Sequence, residues 1–480
     1  MANEHESAPG GLTRRQFLGA GSCAALGTTG LMSTLLNMQL VNKAIAAAAA
    51  GAMNPDADDD YKALVCVFLA GGNDSFNMLI PADPAAYAQY RVARGNMALT
   101  IGGPGGALPI TPLNTPGRPF ALHPSLPNTR ELFNAGRAAF VAGVGTLIQP
   151  TTVAQYKQGA VRLPRALFSH SDQIMQWQTA LPHSASGTGW TGRLADMLNT
   201  QFGDGRIGIN ISLNGNNIQQ TGQHTTPYTI NPNGSVAMLA HGAGSGRGSV
   251  RYEQFTSLLD VRYQNYFEQA YMSEYRASLE RSRAFAAAFD SAAVGTPFGA
   301  GALATDLKTV ARTIAARRAL GMRRQTFFVL FGGWDHHQEL LNTHAGMLRA
   351  FDTALKQFWD ALGELGVQNN VVLFTSSDFG RTLCSNGRGT DHAWSGNQLV
   401  LGGPVAGARI YGEYPDDLSL GGKWDVGLNG RLLPAVSIDQ YFAELALWYG
   451  CAPSELSVIL PNLPNFYQIG GAARPLGFLA

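Results

Sequence analysis

Three uninterrupted apolar runs set the pattern of this chain: Ala63-Leu-Val-Cys-Val-Phe-Leu69, Thr326-Phe-Phe-Val-Leu-Phe331 and Val371-Val-Leu-Phe-Thr375. Short apolar runs without alternation predict strands buried on both faces. Each run empties into a polar cluster. Gly71-Gly-Asn-Asp74-Ser75 follows the first, Gly332-Gly-Trp-Asp335-His336-His337 the second, and Ser376-Ser-Asp378-Phe-Gly-Arg381 the third. A further cluster, Gly389-Thr-Asp391-His392, comes a short loop later. Between the second and third runs, Leu341, Leu348, Phe351, Leu355, Phe358 and Leu362 recur at helical spacing. Strand, helix, strand predicts a parallel crossover unit. In open parallel sheets, ligands bind beyond the carboxyl ends of the strands, which is where these clusters fall.

The same reading carries along the rest of the chain. Residues 82–94 and 124–135 read as helices, the second feeding a strand over 138–144. A polar segment from Arg165 opens a helix through Trp177, with Ser171 or Asp172 as its N-cap. Gly189-Trp190-Thr191-Gly192 leads into a helix through Leu198, and 207–213 is a strand. Residues 102–119 and 214–248 read as loops rich in small and polar residues. Helices follow over 252–289 and 302–320, the second burying Leu303, Leu307, Val310 and Ile314 and packing with the first on one face of the sheet. Strands over 398–401 and 409–411 and a helix over 438–449 close the fold. The expectation is one α/β domain over 62–480, a three-layer α/β/α sandwich with a mostly parallel central sheet. It carries a loop-rich and helical insertion at about 214–320.

Composition narrows the function classes. With 34 basic against 33 acidic residues among 480, no basic block stands out, so nucleic acid is not an expected partner. The N-terminus is more specific. Thr13-Arg14-Arg15-Gln16-Phe17-Leu18 is a twin-arginine export motif, followed by a mild apolar stretch and the alanine-rich segment 44–50 suited to signal-peptidase cleavage. Residues 1–52 are therefore read as signal peptide and cleavage region, and 53–61 as a linker. The expected partner is the twin-arginine machinery and the expected location periplasmic or extracellular. Asn37, Gln39, Asn42 and Lys43 interrupt the apolar stretch, arguing against a stable membrane span after processing. Of the four cysteines, Cys23 leaves with the signal, Cys66 reads as a buried small hydrophobe, and a Cys384–Cys451 bridge is open in an oxidising compartment.

Asp74, Asp335, His337, Asp378 and His392 come from three strand ends and a loop. Carboxylate oxygens with imidazole nitrogens suit zinc, manganese or iron better than calcium. Any one such Asp is as well explained as a cap or turn former; the recurrence at one sheet edge is what points to a metal site. Ser169 and Ser171, at a predicted helix start that favours anions, are candidate nucleophiles, and Ser75 is another. Arg381 is placed either to neutralise an oxyanion or to pair with Asp378. Trp190 and Trp394 are read as pocket lining or, more commonly for tryptophan, core.

The ordered set of the twin-arginine signal, Gly71-Gly-Asn-Asp74, Ser169-His170, Gly189-Trp-Thr-Gly-Arg193, Gly332-Gly-Trp-Asp-His-His337, Ser377-Asp-Phe-Gly-Arg-Thr382 and Gly389-Thr-Asp-His392 resembles the bacterial domain of unknown function 1501 family. That family is similar, more distantly, to the alkaline phosphatase and sulfatase superfamily, with its α/β/α sandwich and two-metal centre. The resemblance implies that Asp74 and Asp378 belong to one metal, and Asp335, His337 and His392 to the other. Two departures stand out. Phe379 occupies the position of a ligating His, and the superfamily's nucleophile has no unambiguous counterpart. These features together predict one tightly held divalent transition metal and an exported hydrolase of phosphate or sulfate esters acting on a small anionic substrate. The competing expectation is a non-catalytic binding or envelope-assembly protein with an eroded metal site. A metal-free Ser hydrolase finds no Gly-x-Ser-x-Gly elbow to support it.

Overall fold

A computed structural model describes residues 60–202, 207–235, 257–259, 261 and 263–479. The signal peptide, the cleavage region and most of the linker expected before residue 60 lie outside it, as do residues 236–256. The chain divides into two compact units, 53–238 with 281–480, and 1–52 with 239–280. In the second unit the described residues include the start of the helix Tyr266–Ser291, where Tyr266, Phe267 and Tyr271 are exposed. Among the described residues, no helix is long and apolar enough to cross a membrane.

In chain order the strands are β1 (Lys62–Ala70), β2 (Leu79–Pro81), β3 (Leu108–Ile110), β4 (Phe120–Leu122), β5 (Ala138–Gly145), β6 (Asn210–Ser212), β7 (Tyr228–Asn231), β8 (Gly234–Ser235), β9 (Arg324–Gly332), β10 (Val371–Ser377), β11 (Arg381–Ser385), β12 (Thr390–His392), β13 (Gly396–Gly402), β14 (Ile410–Gly412) and β15 (Val436–Ser437). The large sheet runs β14-β5-β13-β10-β1-β9-β6-β7-β8, with β15 also on β5. The three apolar runs are its centre: β1 pairs in parallel with both β10 and β9. β13 is antiparallel to β10 and to β5, so the sheet is mixed on that side and mostly parallel as a whole. Small antiparallel sheets, β2-β4-β3 and β11-β12, stand beside it.

Alternation along β1 separates two cores. Ala63, Val65, Val67 and Leu69 pack on one face with the helices Ala302–Ala315 and Leu340–Glu364. Leu64, Cys66 and Phe68 pack on the other with His170–Thr179, Trp190–Phe202 and Ile438–Tyr449. Helices on both faces of a mostly parallel sheet make the three-layer α/β/α sandwich that the unbroken apolar runs predict.

Several local readings change. Leu341 is 37% exposed, because the buried stripe of its helix begins Leu340, His344, Leu348 and joins the predicted spacing only at Leu348. Ser169, not Ser171 or Asp172, is the N-cap of its helix, and its hydroxyl makes no capping bond. Part of the loop expected over 214–248 adds β7 to the sheet in parallel with β6, and β3 lies within the loop expected over 102–119. Cys384 and Cys451 are both free. Cys451 is buried behind the helix Ile438–Tyr449, its thiol directed to the Ala452 carbonyl, while Cys384 ends up on β11 beside the Asn429 loop. Trp190 and Trp394 are fully buried; Trp190 stacks on Phe442 at 4.5 Å, and Trp394 donates to the Thr146 carbonyl.

Candidate metal centre

The carboxyl ends of β1, β9 and β10 lie side by side, and the turns that leave them interlock. Gly71 adopts φ +120°, and a Cβ there would meet the Asp335 nitrogen at 2.4 Å. Only glycine lets the turn after β1 approach the turn after β9 this closely. The Gly71 N–H donates to Asp378 Oδ1 at 3.0 Å, tying in the turn after β10, while Trp334 donates its N–H to the Ala70 carbonyl. Asp335 and Asp378 thus reach one edge, as the strand pattern predicts.

Around Asp335 stand three imidazoles. His170 starts the helix His170–Thr179, and its Nδ1 lies 2.6 Å from Asp378 Oδ2. An ionised carboxylate only accepts, so Nδ1 carries a hydrogen, and Nε2 keeps its lone pair when the ring is neutral. His392 Nδ1 donates to the Phe168 carbonyl at 2.8 Å, and His337 Nδ1 lies 3.3 Å from Asp391 Oδ1. His170 and His392 are therefore held from behind through Nδ1, and all three rings present Nε2 to Asp335. The Nε2 atoms of His170, His337 and His392 are 3.5, 3.0 and 3.3 Å from its carboxylate oxygens. His337 and His392 bring their Nε2 atoms to 2.9 Å from each other. His170, Asp335 and His392 each supply one ligand atom within 4.8 Å of the others. Lone pairs facing a carboxylate repel unless a cation lies between them. Two imidazoles anchored through Nδ1, with one carboxylate, match the donor set of a transition-metal site with its supporting shell.

Electrostatics favours an ionised Asp335 and a neutral His392, and works the other way at His170. Burial works to raise the Asp335 carboxyl, but the Arg381 hydrogen bond and charge, with His337 and His170, outweigh it and leave it below its ordinary value. Burial lowers His392, favouring the neutral ring. The Asp378 hydrogen bond raises His170, so a metal there competes with a proton. Arg381 donates to Asp335 Oδ1 at 2.7 Å rather than to Asp378, which corrects the pairing considered from the sequence.

The remaining candidates fall around this centre. Asp378 is 1% exposed with both oxygens taken by Gly71 and His170, so it stands behind His170. Asp74 lies apart in a fully buried ion pair with Arg94. Phe379 packs its ring against His170 at 4.8 Å and His392 at 4.5 Å. Ser169 Oγ donates to Asp172 Oδ2 at 2.7 Å, next to His170 in the chain; Ser171 is exposed, 3.2 Å from Ser169. Ser75 is buried and accepts from the Asn397 N–H, a structural bond. The sequence reading did not single out His170, Arg94 or Asp391 as site residues. His170 and Asp391 did stand within the quoted motifs, so a polar residue flanked by motif residues was the available signal. Arg94 had none.

No curated protein matches the chain. Solved structures align over most of it at low identity. Ps i-CgsB in complex with k-i-k-neocarrahexaose aligns at 12% identity over 83% of this chain and 74% of that one, TM-score 0.33. The lipoteichoic acid synthase LtaP from Listeria monocytogenes aligns at 9% over 71% and 62%, TM-score 0.26. A mutant of alkaline phosphatase PafA aligns at 11% over 69% and 64%, TM-score 0.25. At these scores the fold rests on the sheet order and layers described above. The sequence profile of the family described as "Protein of unknown function (DUF1501)" matches residues 61–421, and the chain belongs to that family.

Proposed function

We propose that this chain is an exported hydrolase of phosphate or sulfate esters that works with one divalent transition metal, zinc, manganese or iron. His170, Asp335 and His392 would hold the ion, with His337 alongside. The observation that carries the reading is the set of three imidazoles, two of them anchored through Nδ1, that turn Nε2 onto one carboxylate. The ester class follows from the motif resemblance. Bound there, the metal supplies Lewis acidity to a phosphoryl or sulfuryl oxygen.

The protein groups have separable roles. Asp378 and the Phe168 carbonyl fix the tautomers of His170 and His392. Arg381 orients Asp335, and its guanidinium is too enclosed to meet substrate, with its side chain 0% exposed. Phe379 packs its buried ring against His170 and His392 and offers no ligand atom. Ser169 is the nucleophile of choice, because its hydroxyl is free of capping and already shares its proton with Asp172. The pairing of Asp74 with Arg94 and the Phe379 ring both favour one ion over two. The same two features favour a second reading, a non-catalytic binding protein with a vestigial site. Passage through the twin-arginine machinery, which carries folded cargo, suits a metal acquired before export to the periplasm or beyond.

Elemental analysis of the dialysed mature protein, followed by p-nitrophenyl phosphate and sulfate assays, tests this. One equivalent of transition metal with metal-dependent turnover is expected. Metal without turnover would select the binding protein, and two tightly held equivalents or none would sink the one-metal reading.

A further inference from the structure

An ester oxyanion needs a cationic receptor besides the metal, and the obvious arginines are spent. Arg381 uses Nε on Thr390 Oγ1, Nη1 on Asp335 and the Gly71 carbonyl, and Nη2 on the Thr390 carbonyl. Arg94 is buried on Asp74 and the Thr382 carbonyl. Arg431 differs. Its Nε donates to the His392 carbonyl at 2.9 Å, and its guanidinium lies 4.6 Å over the Phe168 ring. Phe168 is the residue whose own carbonyl holds His392 Nδ1. Phe168, His392 and Arg431 therefore form one packed unit with a corner in the metal centre. Among the described residues the two Nη nitrogens of Arg431 have no hydrogen-bond or ion-pair partner, and neither is sealed from solvent.

The mounting is rigid. Asp425, fully buried, accepts the N–H groups of Gly421, Gly427 and Gly430, shaping the turn that carries Arg431. That turn is stitched to β11 by the Leu383 and Cys384 N–H groups, which donate to the Gly430 and Asn429 carbonyls, and to Ser395, whose N–H donates to the Leu432 carbonyl. An arginine pinned through Nε and stacked on an aromatic ring loses little freedom when its Nη fork closes on a tetrahedral oxyanion. If Arg431 served only to brace His392, one N–H would suffice.

We propose that Arg431 is the anion receptor of this site, its Nη pair binding the phosphate or sulfate group of the ester beside the His170–Asp335–His392 centre. The proposal rests on the hydrolase reading, and it names a residue beyond the stretch that matches the family profile.

The test uses metal-loaded mature wild type, Arg431→Gln and Arg431→Lys, with metal content measured alongside calorimetric titration of inorganic phosphate and of sulfate at low and raised salt. Glutamine keeps a donor for the His392 carbonyl; lysine keeps the charge. The expected result is full metal in both variants, a ten- to hundredfold loss of anion affinity in Arg431→Gln, partial retention in Arg431→Lys, and weaker binding at raised salt. Whichever of phosphate and sulfate binds more tightly to wild type identifies the ester class. Unchanged affinity in Arg431→Gln, no measurable anion binding by wild type, or loss of metal in both variants would each overturn the proposal. A wild type devoid of metal whose anion affinity still falls in Arg431→Gln would sink the hydrolase reading and leave the anion receptor standing.

Discussion

Replacing Asp378 with Asn is the most discriminating perturbation of the centre, because it keeps the shape and changes only the hydrogen-bond roles. Asp378 accepts from the Gly71 N–H at 3.0 Å and from His170 Nδ1 at 2.6 Å, and it is almost fully buried. An Asn carries one acceptor and one donor group. With its oxygen on Gly71, its amide faces His170 Nδ1, reverses the tautomer and places a hydrogen on Nε2, which then cannot ligate. With the amide turned toward Gly71, two donors face each other in a buried site, a cost of about 1–3 kcal/mol. The first outcome predicts a tenfold to hundredfold loss of metal affinity, about 1.4–2.7 kcal/mol. Competition against a chromogenic chelator measures it, and urea unfolding of the metal-free protein measures the second cost. His170→Ala should lose the metal more completely, and adding Asp378→Asn to it should cost nothing further, because the carboxylate acts through the ring. Affinity within twofold of wild type in Asp378→Asn, or additive losses in the double variant, would refute the tautomer argument.

Two other expectations follow from separate parts of the chain. Burial pushes the Asp439 carboxyl up to about 7, with one oxygen unpartnered and the other accepting from Asn462. Since the unfolded group titrates near ~3.9, the folded chain holds the extra proton between there and about 7, so stability falls as pH rises through that window and levels off above it. Asp439→Asn should remove this loss, which totals on the order of a few kcal/mol across the window; the same change in unfolding free energy from pH 5 to pH 8 in wild type and variant, measured by urea unfolding, would contradict it. Replacing Arg14 and Arg15 with Lys should strand the precursor in the cytoplasm, and normal appearance of processed protein outside the inner membrane would count against the export signal.

The sequence by itself determined the centre of the sheet. β1, β9 and β10 are each specified by a local, unbroken apolar run, and a strand buried on both faces has few other places to go. Their parallel adjacency put Asp335 and Asp378 at one edge, because each acid follows the carboxyl end of its own strand within a few residues. The helix Ile438–Tyr449 was legible for the same local reason. What each acid does at that edge depended on partners far away in the chain. Asp378 meets His170 across 208 residues, Asp335 meets Arg381 across 46, and Arg431 reaches His392 across 39. A lone histidine at a helix start carries no periodic signal, so His170 became a site residue only when the helix His170–Thr179 packed its first turn over the end of β10. The separation of Asp74 from the centre was likewise a matter of packing. Arg94 closes the helix Pro84–Arg94, and burying its charge is tolerable only against an acid, so tertiary structure drew Asp74 to it and left Asp335 with the imidazoles.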